Sequence, residues 1–147
     1  MKKVTNRRAK FDYELLEKFE AGISLTGAEV KSVKNGHIKL DEAFVQIRDG
    51  EAWLFNAHIH PYTFADNRNY DPVRNRKLLL HQNEILKLAQ QTHEKNLTIV
   101  PLSCYTSHNR IKLEIALAKG KKKYDKREAI KKKDLQREIA GQMKGGR

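Results

Sequence analysis

Residues 43–57 read AFVQIRDGEAWLFNA, two runs rich in β-branched and aromatic residues on either side of Asp49-Gly50. Ala43 to Arg48 and Glu51 to Ala57 suit a pleated, half-buried surface, and an Asp-Gly pair tolerates the positive φ angles of a two-residue hairpin. Antiparallel sheet therefore stands at the centre of the fold. Toward the C-terminus, Leu97 to Thr106 and Ile111 to Lys119 read as two further strands joined by Ser107-His108-Asn109-Arg110. In the second, Ile111, Leu113, Ile115 and Leu117 alternate with Lys112, Glu114, Ala116 and Ala118, so one face is core and the other faces water or a ligand. Pro101 has no amide hydrogen to donate, which places its strand at an edge or at a bulge. Cys104, the single cysteine, reads as a small buried strand residue; alone, it excludes an internal disulfide or a cysteine-rich zinc site.

Toward the N-terminus, Phe11 to Leu25 mixes apolar and acidic residues, and its second half reads as a strand, with Ile23 and Leu25 alternating after Gly22. Thr26-Gly27-Ala28-Glu29 has the spacing of a capping box, in which the Thr hydroxyl takes the Glu29 amide and the Glu29 carboxylate returns to the Thr26 amide. Asn35-Gly36 supplies a left-handed stop and limits this helix to about two turns. From His60 to Lys77 the pattern is lost, and Pro61, Asn67, Asn69, Asp71 and Pro72 punctuate a loop too long to be a mere connector. Leu78-Leu79-Leu80 reads as core and leads into a helix over about Gln82 to Lys95, with Ile85, Leu88, Ala89 and Thr92 on one face against the sheet. Five or six short strands around one such helix predict a mainly β fold with short helices, an OB-fold-like closed antiparallel β-barrel over residues 1–118.

Charge divides the chain. Residues 119–147 carry 12 Lys or Arg against four Asp or Glu, which is +8 of the formal +12. Each cation that neutralises a phosphate releases condensed counterion, so a nucleic-acid backbone is the default partner of such a segment. Lys119 to Lys123 is too self-repelling to fold unaided and predicts a tail disordered when free. Beyond it, Asp125-Lys126-Arg127-Glu128 repeats the capping-box spacing, and Ile130, Leu135, Ile139 and Met143 trace an imperfect apolar stripe. An isolated helix this short is marginal in water and is expected to form when phosphates screen the lysines; a solvated basic tail is the alternative. No run of about 18 apolar residues spans a bilayer, and the basic start leads into Phe11-Asp12-Tyr13-Glu14 instead of an apolar signal core, so a cytoplasmic location is expected. The tail stripe carries no Trp or Phe anchor, which argues against a membrane partner.

Catalysis has the weakest case. His58 and His60, with Asp66 and His81 as further ligands, are the only candidates for a metal site or a small RNA-processing centre, and they lie across an irregular loop. No phosphate-cradling glycine loop or nucleophile elbow occurs, so neither enzyme activity nor a cofactor is expected. The long loop is better endowed. Tyr62, Phe64 and Tyr70 interleave with Arg68, Arg74, Arg76 and Lys77, which sets stacking planes beside phosphate-seeking charge; a solvated loop with its aromatics tucked inward is the competing reading. Glu29, read locally, is a helix cap.

Several segments then meet in one order. Asn6-Arg7-Arg8-Ala9, the run Phe19 to Ser32 (FEAGISLTGAEVKS), Asp71 to His81 (DPVRNRKLLLH), and Ala118 to Lys122 followed by Asp125-Lys126-Arg127 and Ile130 to Asp134 (IKKKD) together resemble the small protein B family of SsrA-binding proteins. The likeness spans nearly the whole chain. It implies an OB-type domain that grips the tRNA-like domain of transfer-messenger RNA and has no catalytic activity. It further implies entry, with elongation factor Tu through the RNA complex, into ribosomes stalled without a stop codon. The tail would lie in the empty mRNA channel of the small subunit near the decoding centre and become helical there. Carried over by motif position and charge, the RNA contacts are Asn6, Arg8, Glu29, Lys31, Asn35, Arg74, Arg76 and Lys77. The ribosome-binding tail residues are Lys121, Lys122, Lys123, Tyr124, Asp125, Lys126, Arg127, Ile130, Lys131, Lys132, Lys133 and Leu135. Two positions depart from the family pattern. Tyr124 stands where many members have His, keeping a stacking plane but losing a possible charge, and Leu135 replaces an aromatic of some relatives. A generic nucleic-acid chaperone or ribosomal protein is the rival reading.

Overall fold

The computed structural model describes residues 1–120. Everything expected of the tail from Lys121 onward, including its disorder and its helix, lies outside the described residues. In chain order the elements are β1 (Val4–Thr5), α1 (Arg7–Asp12), β2 (Tyr13–Ile23), α2 (Gly27–Lys34), β3 (Ile38–Lys39), β4 (Phe44–Arg48), β5 (Glu51–Phe55), β6 (His58–Ile59), β7 (Arg76–Leu79), α3 (Gln82–Glu94), β8 (Thr98–Ser107) and β9 (Arg110–Gly120). The fold is mainly β with few, short helices.

The β4–β5 hairpin forms as its sequence dictates. Asp49 and Gly50 both take positive φ, 51° and 75°, as a turn matched to strand twist requires. Phe44 sits opposite Phe55, and their rings stack at 5.3 Å. The hairpin belongs to a sheet with strand order β1-β8-β4-β5-β7-β2-β9, in which β8 also pairs with β9. The last pairing closes six antiparallel strands into a ring, while β3 and β6 make a separate two-stranded sheet. Inward-facing residues of the ring, among them Ala21, Val45, Leu54, Leu78, Ile99, Leu113, Ile115 and Leu117, form the main core with Val33 of α2 and Leu88 of α3.

Four differences from the sequence reading have physical causes. The strand before α2 covers the whole of Tyr13–Ile23, and its outward Leu16 together with a register shift between Leu15 and Lys18 hides the period-two pattern. Helix α1 was not anticipated; its Ala9 packs on Val100, Leu102, Ala116 and Ala118, so the distal half of the face expected to be open on β9 is a second small core. Leu78 is core, but Leu79 points outward from β7 and is exposed, because neighbouring strand residues take opposite faces. Finally, β9 runs through Gly120, so that Lys119 and Gly120, also read as the first residues of the self-repelling tail, are paired to Glu14 and Tyr13. Pro101 is accommodated at a bulge, with the β8–β9 register shifting between Pro101 and Ser103.

Candidate nucleic-acid interface

The helix that presents Glu29 begins where the capping box predicts. The Glu29 amide donates to Thr26 Oγ1 at 3.2 Å, and the Thr26 amide donates to Glu29 Oε1 at 3.0 Å. Asn35 closes α2 and Gly36 follows at φ 81°. Glu29 is 1% exposed, and an unpaired carboxylate at that depth would not remain charged. The segment after the long loop supplies its partners. Arg76, on β7 and fully buried, donates to Glu29 Oε2 from Nε at 3.0 Å and from Nη2 at 2.6 Å. Its Nη1 donates to the Ala57 carbonyl at 2.6 Å, and Nη2 also lies 3.0 Å from both the Pro72 carbonyl and the Tyr70 hydroxyl.

Arg74 completes the group. Its Nε donates to Glu29 Oε2 at 3.1 Å and its Nη2 to Glu29 Oε1, while the side chain stays about one-third exposed. Burial pushes the Glu29 carboxyl up, but the hydrogen bonds from Arg74, the Thr26 amide and Arg76, with the Arg76 charge, outweigh it and hold the group at about 2. Burial, and next the Glu29 charge, raise the Tyr70 phenol, so its hydroxyl remains a donor, 3.1 Å from Glu29 Oε2 and 2.9 Å from the Ile59 carbonyl. One carboxylate against two guanidiniums leaves the knot a net cation, and Arg74 is the part of it that meets solvent.

The predicted contacts therefore separate into two kinds. Lys31, Asn35, Arg74 and Lys77 lie at the surface around α2 and β7, where Lys77 Nζ is 3.1 Å from Glu51 Oε1 and half-exposed. Glu29, Arg76 and Asn6 are instead buried, with their polar atoms engaged inside the protein. Asn6 caps α1 by accepting the Ala9 amide at 3.2 Å, and its Nδ2 donates to the carbonyls of Leu40 at 3.1 Å and Pro101 at 2.8 Å. It bolts the N-terminal helix to the sheet. Arg8, two residues along, is exposed and held by Glu42 at 2.6 Å and Asp12 at 3.3 Å. Asn6 and Arg8 thus belong to a separate group built on α1.

Tyr70 as a ligand of the knot was missed, having been grouped with the stacking aromatics. Arg74, just before β7, and Arg76, its first residue, stand two apart, the spacing of one strand face, and that was the available signal for the two arginines. Of the residues weighed for metal chemistry, His58 and His60 have ring centroids 6.4 Å apart, and Asp66 is engaged by Arg68 at 2.8 Å. Among the described residues no group of three His, Cys, Asp or Glu side chains is placed to hold a metal ion. Burial pushes the Cys104 thiol up to about 12, in keeping with a packing role.

A closed ring of antiparallel strands with short helices, a wired carboxylate–guanidinium knot and an exposed cationic margin define a small basic binding protein of mainly β architecture. The chain belongs to the SmpB protein family, whose model matches residues 3–145. It is 57% identical to an SsrA-binding protein of Sulfurihydrogenibium sp. (strain YO3AOP1) over 96% of this chain and 93% of that one. It is 52% identical to an SsrA-binding protein of Carboxydothermus hydrogenoformans over 91% and 90% of the two chains. A chain of the solved structure described as "tmRNA-SmpB: a journey to the center of the bacterial ribosome" superposes with a TM-score of 0.69 at 42% identity, covering 87% of this chain and 94% of its own.

Proposed function

We propose that this protein is an RNA-binding adaptor of trans-translation. It binds the tRNA-like domain of transfer-messenger RNA and delivers it to ribosomes stalled without a stop codon. The observation that carries this reading is a family match running from residue 3 to residue 145, across both the strand ring and the basic tail. The ring acts as an OB-type barrel, and the exposed Arg8, Lys31, Asn35, Arg74 and Lys77 meet RNA. Asn6, Glu29 and Arg76 position them from inside: Arg76 and Arg74 share one carboxylate, so the buried knot fixes where the exposed guanidinium points. Arg74 then approaches a phosphate preorganised, with less side-chain entropy to lose.

The tail residues from Lys121 to Leu135 read the vacant mRNA channel near the decoding centre, disordered before they arrive and helical there. Elongation factor Tu joins through the RNA, no cofactor is needed, the role is non-enzymatic, and the setting is cytoplasmic. Among the described residues no helix is long and apolar enough to cross a membrane.

Two measurements test this. Affinity for the tRNA-like RNA and for a random duplex of equal length, followed against salt, should show a preference that survives at high salt; equal affinities with equal steep slopes would make the protein a generic nucleic-acid chaperone. Ending the chain after Gly120, where β9 ends, should leave binding of the tRNA-like RNA largely intact and abolish peptide tagging on stalled ribosomes. Loss of RNA affinity in proportion to lost charge would overturn the division of labour.

A further inference from the structure

Phe64 is 85% exposed, the most exposed large hydrophobic side chain among the described residues, and neither the core nor the Glu29 knot uses it. A phenylalanine left in water gains stability from any face that covers it. Its surroundings restrict what that face can be. Tyr62 meets it edge-on, with centroids 5.6 Å apart and planes at 66°, so the Tyr ring buttresses Phe64 without covering it. Lys31 Nζ lies 5.5 Å from the centroid of the Tyr62 ring, which draws a cation to the same spot. Lys34, three residues along α2, is on the same side of the helix and exposed. Of the two acids of the neighbouring loop, Asp66 is paired with Arg68, and Asp71 is turned to the Val73 amide, from which it accepts a hydrogen bond at 3.0 Å.

An open aromatic plane beside unneutralised cations is the pairing that unpaired nucleotides require, a base on the ring and its phosphate on the ammonium. An apolar protein surface would be poorly matched by the lysines, and a duplex keeps its bases stacked away from the ring. We infer that Phe64, buttressed by Tyr62 with Lys31 beside that ring, is a docking site for one unpaired RNA base and its phosphate. This goes beyond recognition of a folded tRNA-like domain, and it rests on the RNA-binding reading only for the class of ligand.

The test uses the full chain and a 12-nucleotide single-stranded RNA carrying 2-aminopurine, compared with the same sequence as a duplex. The basic tail attracts both, so the readout is the preference for the single strand and the quenching of 2-aminopurine on binding. Phe64→Ala and Phe64→Leu should each weaken single-strand binding roughly ten-fold, abolish the quenching, and leave duplex binding and the salt slope unchanged. Lys31→Ala should instead lower the slope of log affinity against log salt by about 0.7, one phosphate contact on a single strand. Phe64→Leu binding as the parent does would mean simple apolar contact and overturn the inference. So would unchanged quenching in Phe64→Ala, or displacement of the RNA by poly-glutamate at equal charge. Because Phe64 is outside the knot and is not among the residues proposed to meet the tRNA-like domain, binding of that RNA should be retained in Phe64→Ala and Phe64→Leu. Failure of that binding in the parent protein would instead overturn the adaptor reading.

Discussion

The two ends of the segment between β6 and β7 use the same residue types in opposite ways. At its base, Arg76 and Glu29 are 0% and 1% exposed; at its tip, Arg68 and Asp66 are 86% and 64% exposed. Both arginines make several hydrogen bonds to one carboxylate, with Arg68 placing Nε 3.1 Å and Nη2 2.8 Å from Asp66 oxygens. Tyr70 at the base is wired into the knot, while Phe64 at the tip stands in solvent. Contact geometry is thus nearly shared, and the dielectric around it is not. Ion pairs in water contribute little, whereas a buried pair that loses one member leaves a charge with nowhere to go. The base is architecture and the tip is free to evolve as surface.

The largest test of that contrast is Arg76→Ala, which leaves the buried Glu29 carboxylate with the one-third-exposed Arg74 as its sole cationic partner among the described residues. A loss of about 3–5 kcal/mol in unfolding free energy is expected, measured by urea denaturation. A loss below about 1 kcal/mol would show the knot to be dispensable. Replacing both partners, Glu29→Gln with Arg76→Met, should cost less than the sum of the single changes, because neither leaves the other's charge buried.

Acid sharpens the same point. Glu29 has its carboxyl at about 2 in the fold against 4.5 without it, so the unfolded chain binds the proton more readily. The resulting stabilisation is fully present above pH 4.5 and is lost as pH falls from there toward 2. Its size is roughly 3 kcal/mol at most, reduced by solvent screening of Arg74. The difference in urea midpoint between the parent and Glu29→Gln should therefore shrink through that window. A difference constant from pH 6 to pH 2 would mean that Glu29 is not held ionised by the knot. Smaller again is Tyr70→Phe, which removes one hydroxyl from the knot and should cost about 1–2 kcal/mol in the same measurement.

What the sequence made legible was local. The turn at Asp49-Gly50, the Thr26 to Glu29 capping box, the stop at Asn35-Gly36 and the bulge at Pro101 each depend on residues within a few positions, and each is where its chemistry requires. What it hid was long-range. Asp71 to Lys77 reads as a charged surface run, and only a carboxylate 47 residues earlier turns Arg76 inward. Helix α1 is six residues with one buried side chain, too short to show a period, although Asn6 before it is a strong cap. The same distance explains the site: motif position singled out Glu29 and Arg76, but that they meet each other inside the protein is set by long-range burial, which no local pattern encodes.

The smallest expected effect is at the tip, and it is the one that separates geometry from energetics. Arg68 makes a bidentate approach to Asp66 and also takes a turn contact through its own amide, at 3.2 Å from Asp66 Oδ1. Judged by hydrogen-bond count, Arg68→Ala should rival Arg76→Ala. Judged by exposure, it should change unfolding free energy by less than about 0.5 kcal/mol, and that little should fade as salt rises toward 1 M. Asp66→Ala should be slightly larger, since it also releases the amide that orders the turn. A loss near 3 kcal/mol from Arg68→Ala would mean that the tip is as tightly built as the base. An exposed Phe64 beside it would then be held as part of a rigid structure and not as a free edge of the surface.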